Sequence, residues 1–107
     1  MVEYSLNLDH VFNSLADPTR RDILRRVSHQ EMSISEVAQP YDLTFAAISK
    51  HLQILEQAKL IVKRRAGRQR LVHLSPAALQ DATDYLQFYR TTMNERLNSL
   101  DDYLNKE

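Results

Sequence analysis

Seven lysines and arginines lie between Lys50 and Arg70, with Glu56 the one acid among them. They are Lys50, Lys59, Lys63, Arg64, Arg65, Arg68 and Arg70. Fixed positive charge packed this densely has one obvious chemistry, attraction of phosphate oxygens. Seven bases less one acid leave residues 50–70 at +6, whereas residues 1–49 set four Arg against seven acids and residues 71–107 three bases against six, −3 each. The chain as a whole is therefore neutral, and its pI near 6.9 hides a segregated pattern. A solvated basic hairpin is the bland reading. A surface that docks on DNA phosphates is the sharper one, and the amphipathic helix just before the hairpin favours it.

Other chemistries find few residues. The chain has no cysteine, which removes disulfides and thiolate metal sites. His10, His29, His51 and His73 fall on separate predicted elements with no i, i+4 pair, so no metal site is predicted. No nucleophile–base pair and no phosphate-binding glycine loop is visible, which argues against an enzyme and against a bound cofactor. His51 reads first as a partly buried packing residue and second as a phosphate contact.

The elements that must position the basic cluster are legible from periodicity. Leu8, Val11, Phe12 and Leu15 recur at i, i+3, i+4 and i+7, one face of a first helix over about 8–16. Asp17-Pro18 starts a second helix to about His29, with Asp as N-cap and Pro at the first helical position. It buries Ile23, Leu24 and Val27, and leaves Arg20, Arg21, Arg25 and Arg26 on a solvated face that pairs with Asp17 and Asp22. Ser33 with Glu36 three residues on forms a capping box for a short third helix that ends before Pro40. Thr44 caps a fourth helix, about 45–58, buried through Ile48, Leu52 and Leu55. Two β-type runs, Ile61–Arg65 and Gln69–Leu74, flank Gly67, the only glycine. A tight hairpin needs a residue there with positive φ. Ser75-Pro76 should cap a last helix over about 76–104. Its Leu79, Ala82, Leu86, Tyr89, Met93, Leu97, Leu100 and Leu104 make a heptad-like seam.

The fold class is thus mainly α with a small β-hairpin wing: one winged helix-turn-helix domain over residues 1–107, with the wing at about 61–74. The last helix is too long and apolar for so small a domain to cover. Either it folds back on its own domain or a second subunit hides it, and an exposed apolar stripe of this size favours the second.

The order and spacing of several short pieces resemble the ArsR/SmtB family of small bacterial winged-helix repressors. They are Leu15-Ala16-Asp17-Pro18-Thr19-Arg20 followed by Ile23-Leu24, then Ile48-Ser49-Lys50-His51-Leu52 with Leu55-Glu56. Leu60-Ile61 enters the wing, and Gly67-Arg68 precedes Leu74-Ser75-Pro76. The resemblance covers nearly the whole chain. It implies a homodimer, joined through its first and last helices, that binds a palindromic operator and blocks transcription. The family's Cys-x-Cys sensing motif falls on Ser33 and Ser35, whose hydroxyls are poor ligands for soft metals. The family's second metal site uses Asp and His on the last helix, and no histidine follows His73. The chain is therefore similar to the branch without the usual metal ligands, and its inducer is unknown.

The expected DNA contacts follow. Thr44 and the free N–H groups of the helix suit a phosphate. Phe45, Ala46, Ser49, Lys50 and Gln53 form the outer face of a helix that fits the major groove. Arg64, Arg65, Arg68 and Arg70 contact backbone or enter the minor groove. The expected dimer interface is Leu8, Val11, Phe12 and Leu15 with Leu86, Tyr89, Met93, Leu97 and Leu100. No stretch approaches the length of a membrane span, and the N-terminus lacks a basic start with an apolar run, so the protein is expected to be soluble and cytoplasmic. The alternative is a winged helix used only for protein contacts or dimerisation.

Overall fold

The computed structural model describes residues 6–106; residues 1–5 and Glu107 of the expected domain lie outside that range. In chain order the elements are α1 (Leu6–Leu15), α2 (Pro18–His29), β1 (Met32–Ser33), α3 (Ile34–Ala38), α4 (Phe45–Gln57), β2 (Ile61–Ala66), β3 (Gln69–Leu74) and α5 (Ala77–Leu104). The expected mainly helical fold with a hairpin wing is what forms.

Three caps act as their residue types predict. The Asp17 carboxylate accepts from Arg20 N at 3.0 Å, with Pro18 opening α2. Ser33 and Glu36 exchange both bonds of a capping box, at 3.1 and 3.0 Å. Thr44 Oγ1 accepts from Ala47 N at 3.1 Å and starts α4. Each cap satisfies helix N–H groups that have no partner within the helix. The expected Ser75 cap does not form. α5 begins at Ala77, Pro76 stands at the cap position, and no side chain bonds to the end. Ser75 N is already engaged, donating to Leu60 O at 2.8 Å.

One core joins the elements. Ile23, Leu24 and Val27 of α2 meet Val37 of α3, Ile48, Leu52 and Leu55 of α4, and Leu60, Ile61 and Val72 around the hairpin. Val11 of α1 is fully buried in this core. That corrects its place in the expected dimer interface, because a residue already covered by its own domain has no surface left to offer.

The strand β1 was not expected. It pairs antiparallel with β3, Met32 opposite Val72 and Ser33 opposite Leu71, and makes a three-stranded sheet of order β1-β3-β2. Two residues are too few to show an alternation in sequence.

On the expected solvated face of α2, Arg21 and Arg25 are exposed and Arg20 and Arg26 half-buried, and three of the four bond to neighbouring backbone. Arg25 does pair with Asp22. Arg20 donates to the carbonyls of Ser14 and Asn13 at 2.9 and 3.1 Å, and Arg21 to that of Leu15 at 2.8 Å. Arg26 donates to the carbonyls of Val37 and Glu36 at 2.9 and 3.0 Å. These are last-turn carbonyls of α1 and α3, of which Asn13 O also accepts from Ala16 N at 3.2 Å, and a guanidinium fork is well shaped to satisfy them.

α4 ends in a tight reversal that delivers the chain to the wing. Leu60 N reaches back to Leu55 O at 3.0 Å and Lys59 N to Glu56 O at 2.9 Å, a Schellman pair. Lys59 takes the left-handed conformation, φ +62°, where glycine is usual.

α5 has 28 residues, about 42 Å of helix. Only Ala78 and Ala82 of it are buried. Leu86, Tyr89, Met93, Leu97 and Leu100 are all more than half exposed, with Met93 at 63%. The helix does not fold back, and it draws the molecule out to 69 Å along its longest axis. Near its start Tyr85 meets Phe12 of α1 edge-to-face, ring centroids 5.7 Å apart.

Candidate nucleic-acid interface

The core stripe of α4 fixes which side chains face outward. With Ile48, Leu52 and Leu55 buried, the opposite face presents Phe45, Ala46, Lys50 and Gln53, all exposed, with Ser49 half-buried at its edge. Phe45 is 68% exposed at the helix N-terminus. The Thr44 hydroxyl is occupied by its cap bond. It retains a hydroxyl proton with which to meet a phosphate.

In the wing, β2 and β3 pair from Ile61 opposite Leu74 to Ala66 opposite Gln69, leaving Gly67 and Arg68 as a two-residue loop. Gly67 stands at φ +63°, as the first loop position of such a hairpin requires. Arg68 is carried at the exposed tip, and Arg65 and Arg70 lie directly opposite each other just behind it.

Arg64 differs from these three. Its Nε and Nη2 donate to Glu31 Oε2 and Oε1 at 2.8 and 2.6 Å, a bidentate pair. The hydrogen bond from Arg64 holds the Glu31 carboxyl below its ordinary range, and the same bond raises Arg64. His73 shares this carboxylate: Nδ1 lies 3.1 Å from Glu31 Oε2, yet it is shielded and has no aligned hydrogen bond. The signal for this cluster was pairing register. Glu31 precedes β1, Ser33 faces Leu71, and Leu71 faces Arg64, so Glu31 reaches across β3 to β2. Without β1 the connection is invisible. Lys63 is also engaged, 3.4 Å from Glu56 of α4, and ties the wing to the helix.

Ser33 is buried and committed to its capping box, and Ser35 is exposed. Among the described residues no three His, Asp or Glu side chains stand close enough together to hold a metal ion.

α3, a tight turn, α4 and the following hairpin define a winged helix-turn-helix. Residues 15–64 match the family model described as a helix-turn-helix domain. The chain is 33% identical over 79 residues to the transcriptional repressor SdpR of Bacillus subtilis, covering 74% of this chain and 88% of that one. It is 37% identical over 71 residues to the HTH-type transcriptional regulator Rv2034 of Mycobacterium tuberculosis, 66% of each chain. Among solved structures it resembles an ArsR family transcriptional regulator with a TM-score of 0.79 at 30% identity, over 88% of this chain and 97% of that one. An ArsR-like transcriptional regulator from Rhodococcus sp. RHA1 gives a TM-score of 0.72 at 27% identity, over 91% and 92%. The chain belongs to the ArsR/SmtB family of helix-turn-helix transcriptional regulators, a family of DNA-binding proteins and not of enzymes. No described helix is long and apolar enough to cross a membrane.

Proposed function

We propose that this chain is a cytoplasmic homodimeric repressor that reads a palindromic operator with α4 and grips the flanking backbone with its wing. The observation that carries the reading is the pairing of an exposed, uncommitted outer face on α4 with an arginine-tipped hairpin joined to it through Lys63 and Glu56. Lys50 donates to guanine O6 or N7, and Phe45 and Ala46 meet thymine methyls. Gln53 and Ser49 reach a base edge or phosphate, and Thr44 a phosphate. Arg65, Arg68 and Arg70 supply sequence-blind attraction.

The exposed seam of α5, Leu86, Tyr89, Met93, Leu97 and Leu100, is the dimer contact, with the half-buried Leu8, Phe12 and Leu15 of α1 at its margin. A two-fold dimer presents two α4 helices about 34 Å apart, one turn of DNA. The test is a gel shift with the DNA upstream of the chain's own coding region against a scrambled duplex, alongside light scattering. Two chains per particle and preference for the upstream DNA are expected. Replacing Lys50 by Ala should cost operator binding about 1–3 kcal/mol and random DNA less. A monomer at micromolar concentration, or equal affinity for both duplexes, refutes the reading.

A further inference from the structure

One polar side chain of α4 is partly shielded and has no role in the contacts above. His51 follows Lys50, and its side chain is 19% exposed. Its Nδ1 lies 3.3 Å from Arg20 Nη1 and 3.9 Å from Asp17 Oδ2. Arg20 cannot swing away, because its Nε and Nη2 are bonded to the Ser14 and Asn13 carbonyls at the end of α1. Ser14 is itself fully buried and donates to Ile54 O of α4 at 3.3 Å.

A guanidinium has donors only and stays protonated. The nitrogen facing it must therefore accept, and the ring proton of His51 then belongs on Nε2. Among the described residues the one shielded side-chain nitrogen or oxygen without a partner is His73 Nδ1. His51 Nε2, which has no hydrogen-bond partner among the described residues, is accordingly not fully shielded.

We propose that His51 donates its Nε2–H to a DNA phosphate oxygen, and that Arg20 is the positioning residue that fixes this tautomer. The inference rests on the DNA-binding reading above and deepens it. Its signature differs from that of the wing. A neutral imidazole displaces no counterion, so the contact adds affinity without adding to the salt dependence, whereas each arginine adds to both.

Two measurements test this. Long-range 1H–15N NMR of the free wild-type protein at neutral pH reads the tautomer. Nε2–H is expected, and an Nδ1–H or doubly protonated ring overturns the proposal. In Arg20→Met, which keeps the aliphatic stem, the ring should become a tautomer mixture; an unchanged Nε2–H ring removes Arg20 from its role. If that variant does not fold, the wild-type spectrum and the His51 variants still decide. In gel shifts His51→Leu should weaken operator and random DNA alike by about 10- to 100-fold, about 3- to 10-fold for the one hydrogen bond each subunit of the dimer loses, with an unchanged salt slope. His51→Gln, whose amide nitrogen takes the place of Nε2, should recover most of the loss. No loss, a loss confined to the operator, or a shallower slope overturns the phosphate contact. Wild-type protein that retards no DNA at all refutes the DNA reading itself, and the contact with it.

Discussion

The four wing arginines should not behave alike, and the difference has a size. Arg68 is exposed at the hairpin tip with no ion-pair or hydrogen-bond partner among the described residues, while Arg64 already has both arms on Glu31 at 2.8 and 2.6 Å. A phosphate that recruits Arg64 must first break a bidentate pair, so little net attraction is left. A phosphate that meets Arg68 breaks nothing. Each phosphate neutralised on duplex DNA contributes about 0.9 to the slope of log affinity against log salt. Raising salt fourfold, from about 50 to about 200 mM, therefore weakens binding about 3.5-fold per contact, or about 12-fold for the two wings of a dimer. Arg68→Ala should lose that much of the salt dependence, for operator and random DNA equally. Arg64→Ala should leave the slope unchanged, because the arginine it removes was neutralised by the protein's own carboxylate. Glu31→Gln should do the opposite and steepen the slope, since it frees Arg64 for DNA. Fluorescence anisotropy with a labelled duplex at several salt concentrations gives all three slopes. Equal slope losses for Arg64→Ala and Arg68→Ala would show that Glu31 does not hold Arg64 in the complex, and would refute the distinction.

Leu97 is 56% exposed on the α5 seam, and Leu97→Glu should weaken the dimer by several kcal/mol through an unpaired buried charge; sedimentation at low micromolar concentration reads the loss. Lys59→Gly should stabilise the fold by about 0.5–1 kcal/mol, because a left-handed side-chain residue costs more than glycine's extra chain entropy. Lys59→Ala, which removes the charge but keeps Cβ, should give no gain in the same urea unfolding experiment. Asp17→Ala should cost about 1 kcal/mol at neutral pH as a lost cap. The Arg20 backbone N–H holds the Asp17 carboxyl below its ordinary range, so its contribution is full above that range and disappears as pH falls through the lowered value. The gap between wild type and Asp17→Ala should therefore close in acid; a gap independent of pH would assign the loss to something other than the carboxylate. Zinc, cadmium or arsenite should leave operator affinity within about threefold in a titration, since Ser33 and Ser35 offer hydroxyls where the family's sensors have thiols.

Periodicity and capping residues disclosed most of the frame, because both are local. Ile48, Leu52 and Leu55 name the buried side of α4, and that names Phe45, Lys50 and Gln53 as its outer side. Gly67 marks the hairpin loop, since that position demands positive φ. What stayed hidden depends on partners distant in sequence. β1 exists only because β3 lies beside it, and with it came the hold of Glu31 on Arg64. Val11 and Phe12 share one apolar stripe, yet Val11 enters the core and Phe12 stops half-way, against Tyr85. A stripe gives a direction but not a depth. Lys59 in a glycine conformation carries no composition signal at all; the burial of Leu55 and Leu60 on either side of it makes the turn close regardless.

The arginines of α2 show how a polar face can look solvated and yet organise the site. An amphipathic pattern separates apolar from polar, but it cannot tell water from a neighbouring helix end. α1 and α3 both finish against α2, and each leaves carbonyls with no partner in their own helix. Arg20 and Arg21 take three of those of α1, and Arg26 two of those of α3. Each charge is also well placed electrostatically, a cation at the negative end of a helix. Hydrophobic burial is nondirectional and would let these short helices rotate or slide with modest loss. The guanidinium forks are directional and fix the angle. Arg20 extends the same constraint to His51, and so joins the end of α1, the start of α2 and α4, the helix proposed to read DNA. The orientation of α4 is therefore set by two kinds of force, a core that holds its inner stripe and a set of forked hydrogen bonds that fixes what flanks it.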